Sequence, residues 1–110
     1  MSISVKTLPE FDKQLKKLVK KYPSLKSEFH DLIDNLEKNP HLGAPLFKNC
    51  YKIRIAIKSK SKGKSGGGRV ITHVALSENS VYLLSIYDKS GQESVTDSFI
   101  TSLLSKIKPE

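Results

Sequence analysis

Acidic residues and cysteine are both scarce in this chain. Only 11 of its 110 residues are Asp or Glu, against 19 Lys or Arg, so the formal net charge is +8. Cys50 is the single cysteine. No intrachain disulfide can form, which excludes a disulfide-stapled secreted scaffold and a cysteine-based zinc module and fits a reducing cytoplasm. No apolar run approaches the ~20 residues of a membrane span, and Met1–Pro9 lacks the apolar stretch of a signal peptide. Nor is there room for two domains. The length fits one compact domain, residues 1–110, and exceeds the roughly 70–80 residues below which a fold usually needs staples.

The charge is localised. Residues 51–69 carry Lys52, Arg54, Lys58, Lys60, Lys62, Lys64 and Arg69 and no acid, a net of +7, whereas residues 1–50 sum to +3 and residues 70–110 to −2. A field this concentrated favours a polyanion: RNA, DNA, an acidic membrane face or an acidic protein.

Hydrophobic spacing divides the chain. Ile3 and Val5 alternate with polar residues in a short strand. Thr7-Leu-Pro-Glu10 has the form of a capping box, followed by a helical stripe of Phe11, Leu15, Leu18 and Tyr22. Lys13, Lys16, Lys17, Lys20 and Lys21 line its other face, and Pro23 ends it. Ser24 opens a second helix with Leu25, Phe29, Leu32, Ile33 and Leu36 inward, stopped at Asn39-Pro40. The short link predicts an antiparallel helix pair. His41–Asn49 reads as a loop. The period then becomes two: Tyr51, Ile53, Ile55 and Ile57 face the core, while Lys52 and Arg54 face outward about 7 Å apart. Ser59–Gly67 is a polar hairpin loop, Gly68–Leu76 a strand, Ser77–Ser80 a turn, and Val81–Tyr87 a strand apolar enough to be covered on both faces. Ser94-Val-Thr-Asp97 can cap a last helix with Phe99, Leu103 and Ile107 inward. The expectation is an α+β fold, an antiparallel sheet packed against an N-terminal helix pair in the order β-α-α-β-β-β-α.

Several chemistries are weakly supported. Gly63-Lys64-Ser65 resembles the end of a phosphate loop, but Lys58 occupies the position of the required glycine and the loop joins two strands. His30, His41 and His73 fall on unrelated elements, and no metal-ligand spacing stands out. What remains is the cationic strand face. Arg69, opening the next strand, and Lys89, just past the last, can join Lys52 and Arg54 around one phosphate. Such cations can stabilise the phosphorane formed when RNA is cleaved by its own 2′-OH, and crowding among cations lowers a lysine's pKa toward that of a base.

In order, Asn39-Pro-His-Leu-Gly43, Tyr51-Lys-Ile-Arg-Ile55, Lys62-Gly-Lys-Ser-Gly-Gly-Gly-Arg-Val70 and Tyr82-Leu-Leu-Ser-Ile-Tyr-Asp-Lys89 resemble the RelE/ParE toxin superfamily, the HigB/RelE branch most. The resemblance implies a cytoplasmic toxin of a type II toxin–antitoxin pair. It further implies a metal-independent endoribonuclease, without cofactor, that cuts mRNA in the ribosomal A site. Lys52, Arg54, Arg69 and Lys89 fall on the family's catalytic positions. Lys58, Lys60, Lys62 and Lys64 would contact ribosomal RNA, and Tyr87, with no tyrosine after it, would replace the one that stacks on the cleaved base. The implied partners are a cognate antitoxin, the ribosome and mRNA, and no membrane. A ParE-like inhibitor of DNA gyrase and a catalytically inactive relative share the fold.

Overall fold

The computed structural model describes residues 3–60, 67–90 and 95–107. Strand β1 (Ser4–Thr7) leads into helices α1 (Pro9–Lys21) and α2 (Leu25–Lys38). Strands β2 (Ala44–Pro45), β3 (Cys50–Ile55), β4 (Gly68–Ala75) and β5 (Ser80–Asp88) follow, and helix α3 (Asp97–Leu104) closes the sequence of elements. The five strands form one sheet in the order β1-β5-β4-β3-β2. Strands β3, β4 and β5 pair antiparallel as expected, and β2 joins β3 antiparallel, whereas β1 lies parallel to β5 at the border. No helix among the described residues is long and apolar enough to cross a membrane.

The sheet has two covered faces. Against one, the helix pair packs Phe11, Leu25, Leu32 and Leu36 onto Ile53, Ile55, Ile57, Val70, Val74, Val81, Leu83 and Ile86. On the other, Ile100 and Leu103 of α3 meet Cys50, Ile71, Tyr82, Leu84 and Tyr87. Complete burial of Phe11 alone makes its truncation to alanine worth about 3 kcal/mol or more.

Local signals differ from expectation at three places. The capping box does not form: Leu8 is the N-cap without a side-chain bond, Pro9 occupies the first turn, and Glu10 pairs with Lys106 instead. Proline's preset φ suits that first turn and needs no N–H. The loop expected over 41–49 contains β2, short enough that two residues cannot show a period. In α3, Leu103 is buried and Ile107 packs against the core as expected, but Ile100 is buried in place of Phe99, which is 39% exposed. Thr96 caps that helix by accepting from the Phe99 N–H.

A β-bulge sets the phase of β5. Ile71 pairs with Ser85 and Thr72 with Leu83, so Leu84 is an extra residue on β5. Before it, Val81 and Leu83 face the helix pair; after it, Ile86 does, and Tyr87 faces α3. Unbroken alternation would have put Tyr87 on the opposite side of the sheet.

Candidate functional site

The register aligns three side chains in one row. Arg54 of β3 lies directly opposite Arg69 of β4, which lies directly opposite Tyr87 of β5. Directly opposed residues bring their Cβ atoms to about 5 Å. Lys52, two residues from Arg54, shares its face and pairs with Ile71. Beyond β5, the Lys89 N–H donates to the Gly67 carbonyl (3.0 Å), extending the ladder by one step. Lys52 and Lys89 therefore flank the row on opposite sides, one along β3 and one past β5.

Burial differs sharply along the row. Arg54 is exposed, Lys52 and Lys89 are half-buried, and Arg69 is 4% exposed. Among the described residues the Arg69 guanidinium has one hydrogen bond, from Nη1 to the Gly68 carbonyl at 2.9 Å. No described carboxylate pairs with Lys52, Arg54 or Arg69. A buried guanidinium lacking a counter-charge is costly, and such a group is suited to receive an anion.

Tyr87 differs from its expected role. The residue is 6% exposed and belongs to the same core cluster as Ile71, Leu84, Ile100 and Leu103, which leaves little of its ring open to a stacking base. Its hydroxyl is buried without a hydrogen-bond partner among the described residues. Burial pushes the phenol pKa up from its ordinary value, and the Arg69 charge pulls it partly back.

Lys60, expected to contact ribosomal RNA, is held in an ion pair within the fold. Its ammonium pairs with Asp88 and hydrogen-bonds Ser90, and its side chain is 7% exposed. Tyr22 donates to the same carboxylate (2.8 Å), and Lys60 lies over the Tyr22 ring. Burial works to raise the Asp88 pKa, but the bonds from Lys60, Tyr22 and Ser90 outweigh it and hold the carboxyl well below the usual range. Nearby, Ser24 and Ser59 exchange reciprocal bonds (2.7 and 2.8 Å), and the Lys58 N–H donates to Glu28 (2.7 Å). The chain at 58–60 is thus strapped to α2 and β5, with the Lys58 residue exposed. Lys62 and Lys64, expected to contact RNA, lie outside the described residues.

The other candidates are dispersed. His73, four residues along β4 from Arg69, holds its Nδ1 against the Lys48 carbonyl (2.9 Å) and lies 3.8 Å from the Cys50 sulfur. Burial pushes that thiol up to about 11, against a smaller lowering by Lys48, so it is an inert core cysteine. His41 contacts the Tyr51 ring. His30, Asp31 and Asp34 place ligand atoms within 4.8 Å of one another on the exposed side of α2, because i and i+4 share a helix face. They sit on α2, which packs against the sheet face opposite the one that carries Tyr87. An open cleft of about 510 Å³ runs along α1, lined by Gln14 and the helix's exposed lysines.

Comparison with known proteins places this geometry in context. A family model described as the ParE toxin of the type II toxin–antitoxin system parDE matches residues 5–92. Similar solved structures include a free-state double arginine-to-alanine mutant of the E. coli toxin RelE, 15% identical with a TM-score of 0.65, the match covering 98% of this chain and 100% of that one. Isolated E. coli RelE in a P21 crystal form is 14% identical with a TM-score of 0.59, covering 96% and 99%. A metal-bound toxin from Helicobacter pylori is 22% identical with a TM-score of 0.52, covering 82% and 98%. These identities establish a shared fold. No curated protein sequence matches the chain. With the family model spanning the helix pair, strands β2 to β5 and all of β1 but Ser4, the chain belongs to the ParE toxin family of type II toxin–antitoxin systems, within the RelE/ParE superfamily.

Proposed function

We propose that this toxin is a ribosome-dependent endoribonuclease that cuts mRNA in the A site and so arrests translation in the cytoplasm. As a type II toxin it has a protein antitoxin as its partner; the ribosome and mRNA are the proposed targets. The observation that carries the reading is Arg54 opposite Arg69, with Lys52 beside them and no carboxylate paired to any of the three among the described residues.

The chemistry follows from that arrangement. The 2′-oxygen of one nucleotide attacks the adjacent phosphorus and gives up its proton. The bond to the 5′-oxygen breaks and that oxygen takes up a proton, leaving a 2′,3′-cyclic phosphate and a 5′-hydroxyl. Charge grows on the equatorial phosphoryl oxygens, where fixed guanidinium donors stabilise it most. Attacking and leaving oxygens lie on opposite sides of phosphorus. Lys52 and Lys89, on opposite sides of the arginine row, suit the two proton transfers. Exposed Lys58, with Lys62 and Lys64, supplies sequence-independent grip on RNA phosphates.

Toeprinting on toxin-loaded ribosomes tests the reading. Cuts within A-site codons are expected, and intact mRNA would sink it. The ParE family match favours a second reading, inhibition of DNA gyrase through protein contact. Loss of supercoiling activity in purified gyrase, with mRNA left whole, would select it.

A further inference from the structure

We propose that the Tyr87 hydroxyl is a neutral hydrogen-bond donor of the anion site, acting with Arg69 on a phosphate group of the substrate. The proposal rests on the nuclease reading for the identity of that phosphate, but its geometry stands independently. Two buried polar groups lie directly opposite each other on adjacent strands. One is the Tyr87 hydroxyl, without a partner among the described residues; the other is the Arg69 guanidinium, whose one partner there is the carbonyl of the preceding residue. A guanidinium has five N–H donors, so most of its capacity is unspent. Buried polar groups are normally satisfied, and two neighbours that both fall short define the place where a missing acceptor fits. An acceptor that satisfies both must offer several oxygens, and the positive charge of Arg69 selects an anionic one. A phosphoryl group has both properties.

The β5 bulge supports the same conclusion. Were Leu84 accommodated in regular alternation rather than bulged, Tyr87 would point toward the helix pair, away from the arginines. Burial also keeps the phenol protonated through neutral pH, so it remains a donor where a carboxylate would repel the phosphate. Both groups are covered in the free protein. The phosphate enters by drawing Arg69 from the Gly68 carbonyl, exchanging a neutral acceptor for a charged one.

Tyr87→Phe separates function from structure because the two effects have opposite signs. Phenylalanine fills the same space and removes an unsatisfied hydroxyl, so the melting temperature in phosphate-free buffer should be unchanged or higher. Inorganic phosphate, titrated at constant ionic strength, should raise the melting temperature of the native toxin through ligand linkage. The Phe variant should need roughly 10-fold more phosphate for the same shift, the range for a hydrogen bond to a charged group. Equal phosphate dependence in the two proteins, or none in the native toxin, overturns the proposal. A-site cleavage is scored separately. Intact mRNA together with a Tyr87-dependent phosphate shift would reject the nuclease reading and keep the anion site. Cleavage together with equal phosphate shifts would do the reverse.

Discussion

Lys60 and Asp88, 28 residues apart, close an ion pair that ties the end of the β3 strap to the end of β5. Side-chain exposures of 7% and 13% put the pair largely out of water. Tyr22 adds the end of α1 to the same carboxylate, so three elements meet there. Removing one partner leaves the other charge largely out of water without its counter-ion. Asp88→Asn should therefore cost about 3 kcal/mol in urea denaturation. The sign of the acid dependence follows from the depressed carboxyl. Its stabilisation is complete above the unfolded-state aspartate value of about 4 and is lost as pH falls toward the native-state value. The Asn variant should lose this component of acid sensitivity.

Arg54 is exposed and Lys52 half-buried, so their removal should affect chemistry more than folding. Arg54→Ala should lower the A-site cleavage rate by about 10²–10³, the usual cost of one transition-state donor. The melting temperature should stay within a few degrees. Lys52→Ala combined with Arg54→Ala should abolish cutting, as judged by toeprinting.

Arg69 should show the opposite balance. Its guanidinium is buried with no carboxylate partner among the described residues. Arg69→Met keeps the volume and removes the charge, and should stabilise the free toxin by about 1 kcal/mol or more. The same variant should be inactive in translation arrest. A fall in stability would instead assign Arg69 a structural role.

Gly43 holds φ at +104°, and a Cβ there would meet the Lys52 carbonyl oxygen at 2.6 Å and Ile53 Cγ1 at 2.8 Å. Backbone cannot give way cheaply, and a side chain is strained at that φ. Gly43→Ala should cost about 2 kcal/mol or more. It should also reduce cleavage, because the strand displaced is the one carrying Lys52 and Arg54.

Neutralising Lys58, Lys62 and Lys64 to Gln should weaken ribosome binding most at low salt. The slope of log affinity against log salt should fall by about 0.7 for each single-stranded phosphate that the variant no longer neutralises. The cleavage rate on saturated ribosomes should change little.

Much of the fold was legible because its signals are local. The Leu25–Leu36 stripe and the alternation of Lys52 and Arg54 with Ile53 and Ile55 each report one face of one element. The arginine row was only half legible: Arg54 and Arg69 follow from a simple hairpin, but Tyr87 depends on an extra residue at Leu84, invisible in an apolar run without alternation. Lys60 looked like its neighbours in a lysine-rich loop. Its fate depends on Asp88 and Tyr22, and long-range pairing leaves no periodic trace. The β1–β5 pairing was hidden for the same reason.

Gln14 shapes the outline of the sheet. Strand β1 covers β5 only as far as Leu83. Past that point the Gln14 side-chain oxygen accepts from the Ile86 N–H (3.0 Å) and the Ser85 hydroxyl (3.2 Å), as a further strand's carbonyl otherwise would. A helix side chain thus finishes a border that the strands leave incomplete. The opposite border is only partly hemmed by two-residue β2, whose register ends at Lys52. Past Lys52 no strand among the described residues lies beside β3 on that side, so the open backbone margin of the sheet there coincides with the position of Arg54 in the cationic row.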